Sequence, residues 1–230
     1  MYIYHHLGLG DHIICHGIVR NVCDKYFEKE HTLCLKPQFL TSVGFMYRDI
    51  KNLKLKPFLN DHEVHLFLNS INDEQILYIG HHHLSEIMKN GYNFDEAFYK
   101  QVGLNFQKRW TDFKIERDYN RETELFKKIS PPSEYIFLHD GSERGLVIDR
   151  EKIQNKSLPI ITPNTEYTDN IFDYLSLIER ATEIHCFDSS FKLMIDSILH
   201  DRSNLFYHIK LMNEAQRPHT TASKLSWILV

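Results

Sequence analysis

Residues 2–20 read YIYHHLGLGDHIICHGIVR, and the reading of this stretch decides the fold. Tyr2-Ile3-Tyr4 is a short β-type run, and Leu7-Gly8-Leu9-Gly10 is a flexible turn. Asp11 then opens a helical pattern with Ile14, Ile18, Val22 and Tyr26 at steps of four and Cys15, Val19 and Cys23 beside them. That spacing puts one apolar helix face against a sheet. Asp11 is placed as the N-cap, where a carboxylate accepts the orphan amides of the first turn. The unit is strand, glycine turn, helix.

Outward from there the same rhythm continues. His31–Leu35 reads as a strand stopped by Pro37, and residues 40–48 read as a helix. Leu53 and Leu55 alternate with lysines, the pattern of an edge strand. Residues 64–68 are too short and apolar to assign to helix or strand. Residues 75–79 form a strand running into Gly80, and residues 94–128 turn mostly helical with aromatics and charges mixed. After the Pro131-Pro132 punctuation, strands are expected at 134–138, 158–161, 183–187 and 205–209, with helices over 170–180 and 191–199. Strands alternating with helices predict an α/β fold with parallel sheets. The expectation is two Rossmann-like halves, 1–118 and 119–230.

The whole chain has 230 residues, of which 42% are hydrophobic and 25% charged, a composition that excludes a disordered or low-complexity chain. A net charge of −4 supplies no field for nucleic acid or an anionic membrane. No apolar run of bilayer length occurs, so no integral membrane segment is expected. The first residues lack the basic and apolar regions of a secretory signal. Four cysteines without a C-x-x-C spacing read as reduced, buried thiols, and the expected location is cytoplasmic. Fifteen histidines are a surplus that calls for a structural reason.

Ligands of open parallel sheets bind outside the carboxyl ends of the strands. The loops at those ends hold His6 to Asp11, Gly80 to His83, His139-Asp140-Gly141 with Arg144, Thr162 to Glu166, and Asp188-Ser189-Ser190. Gly8-Leu9-Gly10 matches half of G-x-G-x-x-G, but Ile13 stands where the third glycine belongs, which disfavours an NAD(P) site. The Asp188-Ser189-Ser190 junction suits a phosphate at a helix N-terminus, or equally a helix cap. Arg144 on a glycine turn suits a diphosphate. Consecutive side chains on a loop point in different directions, so His81, His82 and His83 read as an ordinary surface loop or a polar cleft wall rather than as metal ligands.

These residues carry a family likeness. The 2–20 stretch resembles the first strand, glycine turn and first helix of GT-B fold glycosyltransferases, above all the heptosyltransferase type. HCFDSSFKLMIDSIL, residues 185–199, resembles that family's C-terminal strand, Asp-Ser turn and helix, with a more distant likeness to fucosyltransferases. The family turn continues Asp-Ser-Gly and a histidine, whereas Ser190 and Phe191 stand here. The resemblance implies a compact GT-B-like pair of halves facing across a cleft, residues 1–118 on the acceptor side and 119–230 on the nucleotide-sugar side. It implies Asp11 as general base, Gly8 and Gly10 making room for sugar and diphosphate, and Ser189 and Ser190 meeting phosphate. His139, Asp140, Gly141, Arg144, Thr162 and Asp188 complete the donor side, and His12, His81 and His82 the acceptor side. Arg144 stands in for a metal, so no cofactor and no metal are expected. The expected activity is transfer of a sugar from a nucleotide-diphosphate donor to a glycan or other hydroxyl acceptor. The alternatives are a noncatalytic nucleotide- or sugar-binding module and an NAD(P)-dependent oxidoreductase.

Overall fold

The computed structural model describes residues 1–71, 75–80, 92–141, 147–209 and 221–230. The chain forms two compact units. The first is Met1–Glu116, rejoined by Ala222; the second begins at Arg117 and includes Ser223–Val230.

The first unit is built on β1 (Tyr2–Tyr4), β2 (His31–Leu35), β3 (Leu53–Pro57) and β4 (Ile76–Tyr78), all parallel, in the order β3-β2-β1-β4. β1 lies between β2 and β4, which is why Ile3 and Tyr4 are fully buried. β3 sits at the edge with its lysines, as the alternation predicts. α1 (Leu9–Ile14) and α2 (His16–Lys25) follow β1, with a break at Cys15 that the step-of-four pattern does not reveal. Residues 12–19 are buried without interruption, His12, Ile13, His16 and Gly17 as well as the predicted Ile14, Cys15, Ile18 and Val19. Cys23 is also buried, Val22 is half-buried, and Tyr26 is exposed because the helix ends before it. α3 (Leu40–Met46) and α4 (Asp61–Leu68) cover the sheet, so the unassigned 64–68 run is helical, started by the Asn60 side chain accepting from the Glu63 amide. α5 (Phe94–Gln101) and α6 (Lys108–Thr111) complete the unit.

The second unit opens with α7 (Tyr119–Ile129) and carries β5 (Ile136–His139), β6 (Ile160–Ile161), β7 (Glu183–Cys186), β8 (Leu205–Tyr207) and β9 (Ile228–Leu229). Its sheet is parallel throughout in the order β6-β5-β7-β8-β9. Residues 171–174 are a 3₁₀ turn leading into α8 (Leu175–Arg180), and α9 is Ser190–Ile198. Phe137, Phe172, Leu175, Ile178, Ile184, Met194 and Ile195 are its fully buried apolar core. β9 has no counterpart in the sequence reading, because two exposed residues carry no period. The fold is α/β with two parallel sheets in Rossmann-like units, as expected. Among the described residues no helix is long and apolar enough to cross a membrane.

Candidate functional site

Strand order locates the ligand crevice of each sheet. In an open α/β sheet it lies where successive connections leave a strand in opposite directions. In the first unit the chain winds from β1 outward to β3, then crosses back to β4, so the reversal lies between β1 and β4. In the second unit it winds from β5 to β6, then to β7 and outward, placing the reversal between β5 and β7.

Gly8 and Asp11 stand at the carboxyl end of β1. Gly8, not Asp11, is the N-cap of α1, a correction that follows from Leu9 being buried and drawing the helix start back. Asp11 sits in the first turn, and a Cβ on Gly8 would lie 2.5 Å from its Oδ2. The room glycine leaves at position 8 is thus filled by the Asp11 carboxylate itself. α1 has six residues, and Gly10 is half-buried within it. His12 is fully buried, with its ring 4.4 Å from that of His5 and neither nitrogen hydrogen-bonded among the described residues. It therefore belongs to the core rather than to an acceptor-facing wall.

His6, in the loop after β1, has no role in the sequence reading beyond its place at a strand end. The left-handed Gly80 (φ 84°), just past β4, is bare where a Cβ would stand 2.7 Å from His6 Nε2 and 2.9 Å from Phe98. Its amide donates to Gln101 Oε1 (2.6 Å), and Gln101 Nε2 donates to the Tyr78 carbonyl (3.2 Å). The His6 ring stacks on Phe98 at 5.8 Å. Burial holds its pKa below the ordinary value despite the charge of Asp61, which accepts from Tyr4 Oη at 2.7 Å. A neutral imidazole at the end of the central strand is chemically a proton acceptor.

The second reversal is better furnished. His139 ends β5, and Asp188-Ser189 follows β7. The Ser189 hydroxyl caps α9 by accepting from the Lys192 amide (3.3 Å), and is hydrogen-bonded to His139 Nδ1 at 3.0 Å. Ser189 is thus the helix cap, the one of the two readings of that junction that is seen directly, and it stands at the end of β7 beside the reversal. The Ser190 and Phe191 amides, at the first positions of a nine-residue helix, have no intrahelical acceptor and sit at its positive end. The His139 ring packs on Phe191 at 4.4 Å, fixing both. Lys192, 2% exposed, was not singled out from sequence. Its Nζ donates to Ser223 Oγ (3.1 Å) and lies 4.9 Å from the Tyr207 ring and 5.6 Å from that of Trp227. A fixed cation thus stands over the end of β8 at the same sheet edge. Burial, then the Asp188 charge, raises the Tyr207 pKa. Asp140 is half-buried and Gly141 buried after β5, Asp188 is exposed, and Thr162 is exposed at the end of β6. Arg144, His81 and His82 lie outside the described residues.

The histidine surplus has a structural reason. Six histidines, at 5, 12, 16, 31, 185 and 208, are buried among the described residues. In the second unit Glu183 Oε2 faces His185 Nε2 (3.1 Å) and His185 Nδ1 faces His208 Nε2 (2.8 Å). A carboxylate only accepts, so His185 carries its proton on Nε2 and His208 donates to Nδ1. Burial, then His185 and Lys152, against Asp149, lowers His208 to about 4; burial and Arg150, against Glu183, lower His185. Burial, then the neighbouring Arg20, lowers His16 to about 3 in the first unit. Folded pKa values below the unfolded value mean that the unfolded chain binds more protons. Stability is then level above about pH 6.5 and falls as the pH drops toward 4. Urea midpoints measured across that window will fall, and His208→Gln will flatten the slope; midpoints independent of pH would contradict the buried neutral pair.

Among the described residues no group of three or more histidines, cysteines or acids is placed to hold a metal ion. Compared with protein-family models, curated proteins and solved structures, the chain has no match.

Proposed function

We propose that the chain is a metal-independent glycosyltransferase of the GT-B kind, transferring a sugar from a nucleotide-diphosphate donor to a hydroxyl acceptor. The observation that supports this reading is the β5/β7 reversal, where His139 is hydrogen-bonded to Ser189 and the Ser190 and Phe191 amides of α9 stand at the strand ends, next to Asp140 and Asp188. A diphosphate is the ligand such a crevice suits: amides at a helix end, an imidazole and a nearby buried ammonium all favour oxyanions. Two parallel units in one chain, each with its own crevice, fit an enzyme that handles a donor and an acceptor. Leaving-group stabilisation matters most, because negative charge builds on the diphosphate as the glycosidic bond breaks. Donor-side roles go to His139, Asp140, Gly141, Arg144, Thr162, Asp188, Ser189 and Ser190. Asp11 is the base for the acceptor hydroxyl.

A nucleotide-binding module without turnover is the second reading, favoured by the Asp11 carboxylate lying back over Gly8. The same carboxylate disfavours a dinucleotide there, since its charge stands where a pyrophosphate would approach. Ser189→Ala tests the main reading. Losing the cap lowers stability by about 1 kcal/mol, and losing the hydroxyl weakens donor affinity about tenfold in calorimetry with nucleotide-sugars. Unchanged donor affinity in a folded variant would count against phosphate contact at α9.

A further inference from the structure

At the amino end of the first unit's sheet, away from the β1/β4 reversal, α2, the turn before β3 and the segment after α6 enclose a groove of about 580 Å³. That volume falls within the range of small-molecule sites, roughly 300–1,000 Å³. Its walls are polar and rigid. Arg20 forks onto both oxygens of Asp49 (2.9 and 2.7 Å) and donates to the Lys114 carbonyl (2.7 Å). Asn21 donates to Asp112 (2.7 Å), which also receives Lys108 (2.8 Å).

Charge decides the ligand class. Arg20, Lys51 and Lys114 face Asp24, Asp49 and Asp112 around the same space, so neither an anion nor a cation gains from entering. Burial raises the pKa of Asp49 and Asp112, but their donors outweigh it and hold both carboxyls below the usual range. Arg20 takes one position on each Asp49 oxygen, while Asn21 and Lys108 occupy Asp112 Oδ2 and Thr111 donates to Oδ1, so each carboxylate can still accept a further donor from the groove. Phe27, 71% exposed, lies at the groove and offers a ring face. A neutral ligand that donates hydroxyls and has one apolar face fits: a saccharide. The geometry points to this groove as a binding subsite for uncharged oligosaccharide, separate from the diphosphate crevice. It rests on the glycosyltransferase reading only for the source of the glycan.

The test is titration of the full chain with cellobiose, lactose, maltotriose and diacetylchitobiose, followed by the Phe27 ring signals and the side-chain amides of Asn21 and Asn52, both of which line the groove, in NMR spectra. One or more of these sugars is expected to move those signals, with an affinity insensitive to salt. Phe27→Ala, a change at an exposed position, is expected to weaken it about tenfold. No response to any of the four sugars, a response elsewhere, unchanged affinity in Phe27→Ala, or inorganic phosphate moving the groove signals instead overturns the proposal. Nucleotide titrations report on the α9 crevice, so a failure of that reading and a failure of this one are read separately.

Discussion

Asp95→Ala is expected to cost the protein about 3–5 kcal/mol, the largest stability loss of any single substitution considered. Asp95, in the first turn of α5, and Arg109, in α6, form an ion pair in which both side chains are fully buried. The pair also holds a backbone segment. The Ala222 amide donates to both Asp95 oxygens (3.1 and 3.2 Å), and Arg109 Nη1 donates to the Ala222 carbonyl (2.9 Å). Removing the carboxylate leaves a desolvated guanidinium without its counter-charge and a buried amide without its acceptor. Urea titration at neutral pH measures the loss, and the thermal midpoint should fall by roughly 10 °C. Asp95→Leu combined with Arg109→Met removes both charges and should recover much of the stability, because desolvating an ion pair offsets most of its attraction. A loss below about 1 kcal/mol in the single variant would mean that the pair behaves like an exposed one.

Asp11→Asn is expected to lower kcat by about 10²–10⁴-fold and to leave the donor KM nearly unchanged. The amide is nearly isosteric, so it keeps its place over Gly8, where the Oδ2 position is set by the absence of a side chain. What it loses is the ability to take a proton from the acceptor hydroxyl. Donor hydrolysis and transfer, assayed side by side, separate base catalysis from binding. Undiminished turnover would remove Asp11 from the base role and leave the imidazole of His6 to fill it. Intact donor binding without turnover in the unaltered protein would favour the binding module.

The sequence made the local units legible and left their pairings hidden. The step of four in residues 14–23 picks out buried apolar positions but misses that residues 12–19 are buried on every side, whereas the Leu–Lys alternation of β3 marks an edge correctly. Neither pattern tells where a helix starts. Asp11 has the chemistry of a cap, yet burial of Leu9 moves the cap to Gly8. The Ser189–His139 contact joins residues fifty positions apart, and only the order of β5 and β7 reveals it. The Glu183-His185-His208 chain depends likewise on β7 lying beside β8. Nothing local in the sequence marks Lys192, because its aromatic neighbours come from β8 and the C-terminal segment.

On the proposed function, the β5/β7 reversal takes a diphosphate. Titration with UDP, GDP, ADP and CDP, followed through the His139 ring protons and the Ser190 and Phe191 amides in NMR spectra, addresses it directly. One of these nucleotides should shift all three sets of signals together, saturably and with an affinity that falls as salt rises. If NAD(P) alone shifts them, or if every nucleotide leaves them where they are, the diphosphate site is not at α9.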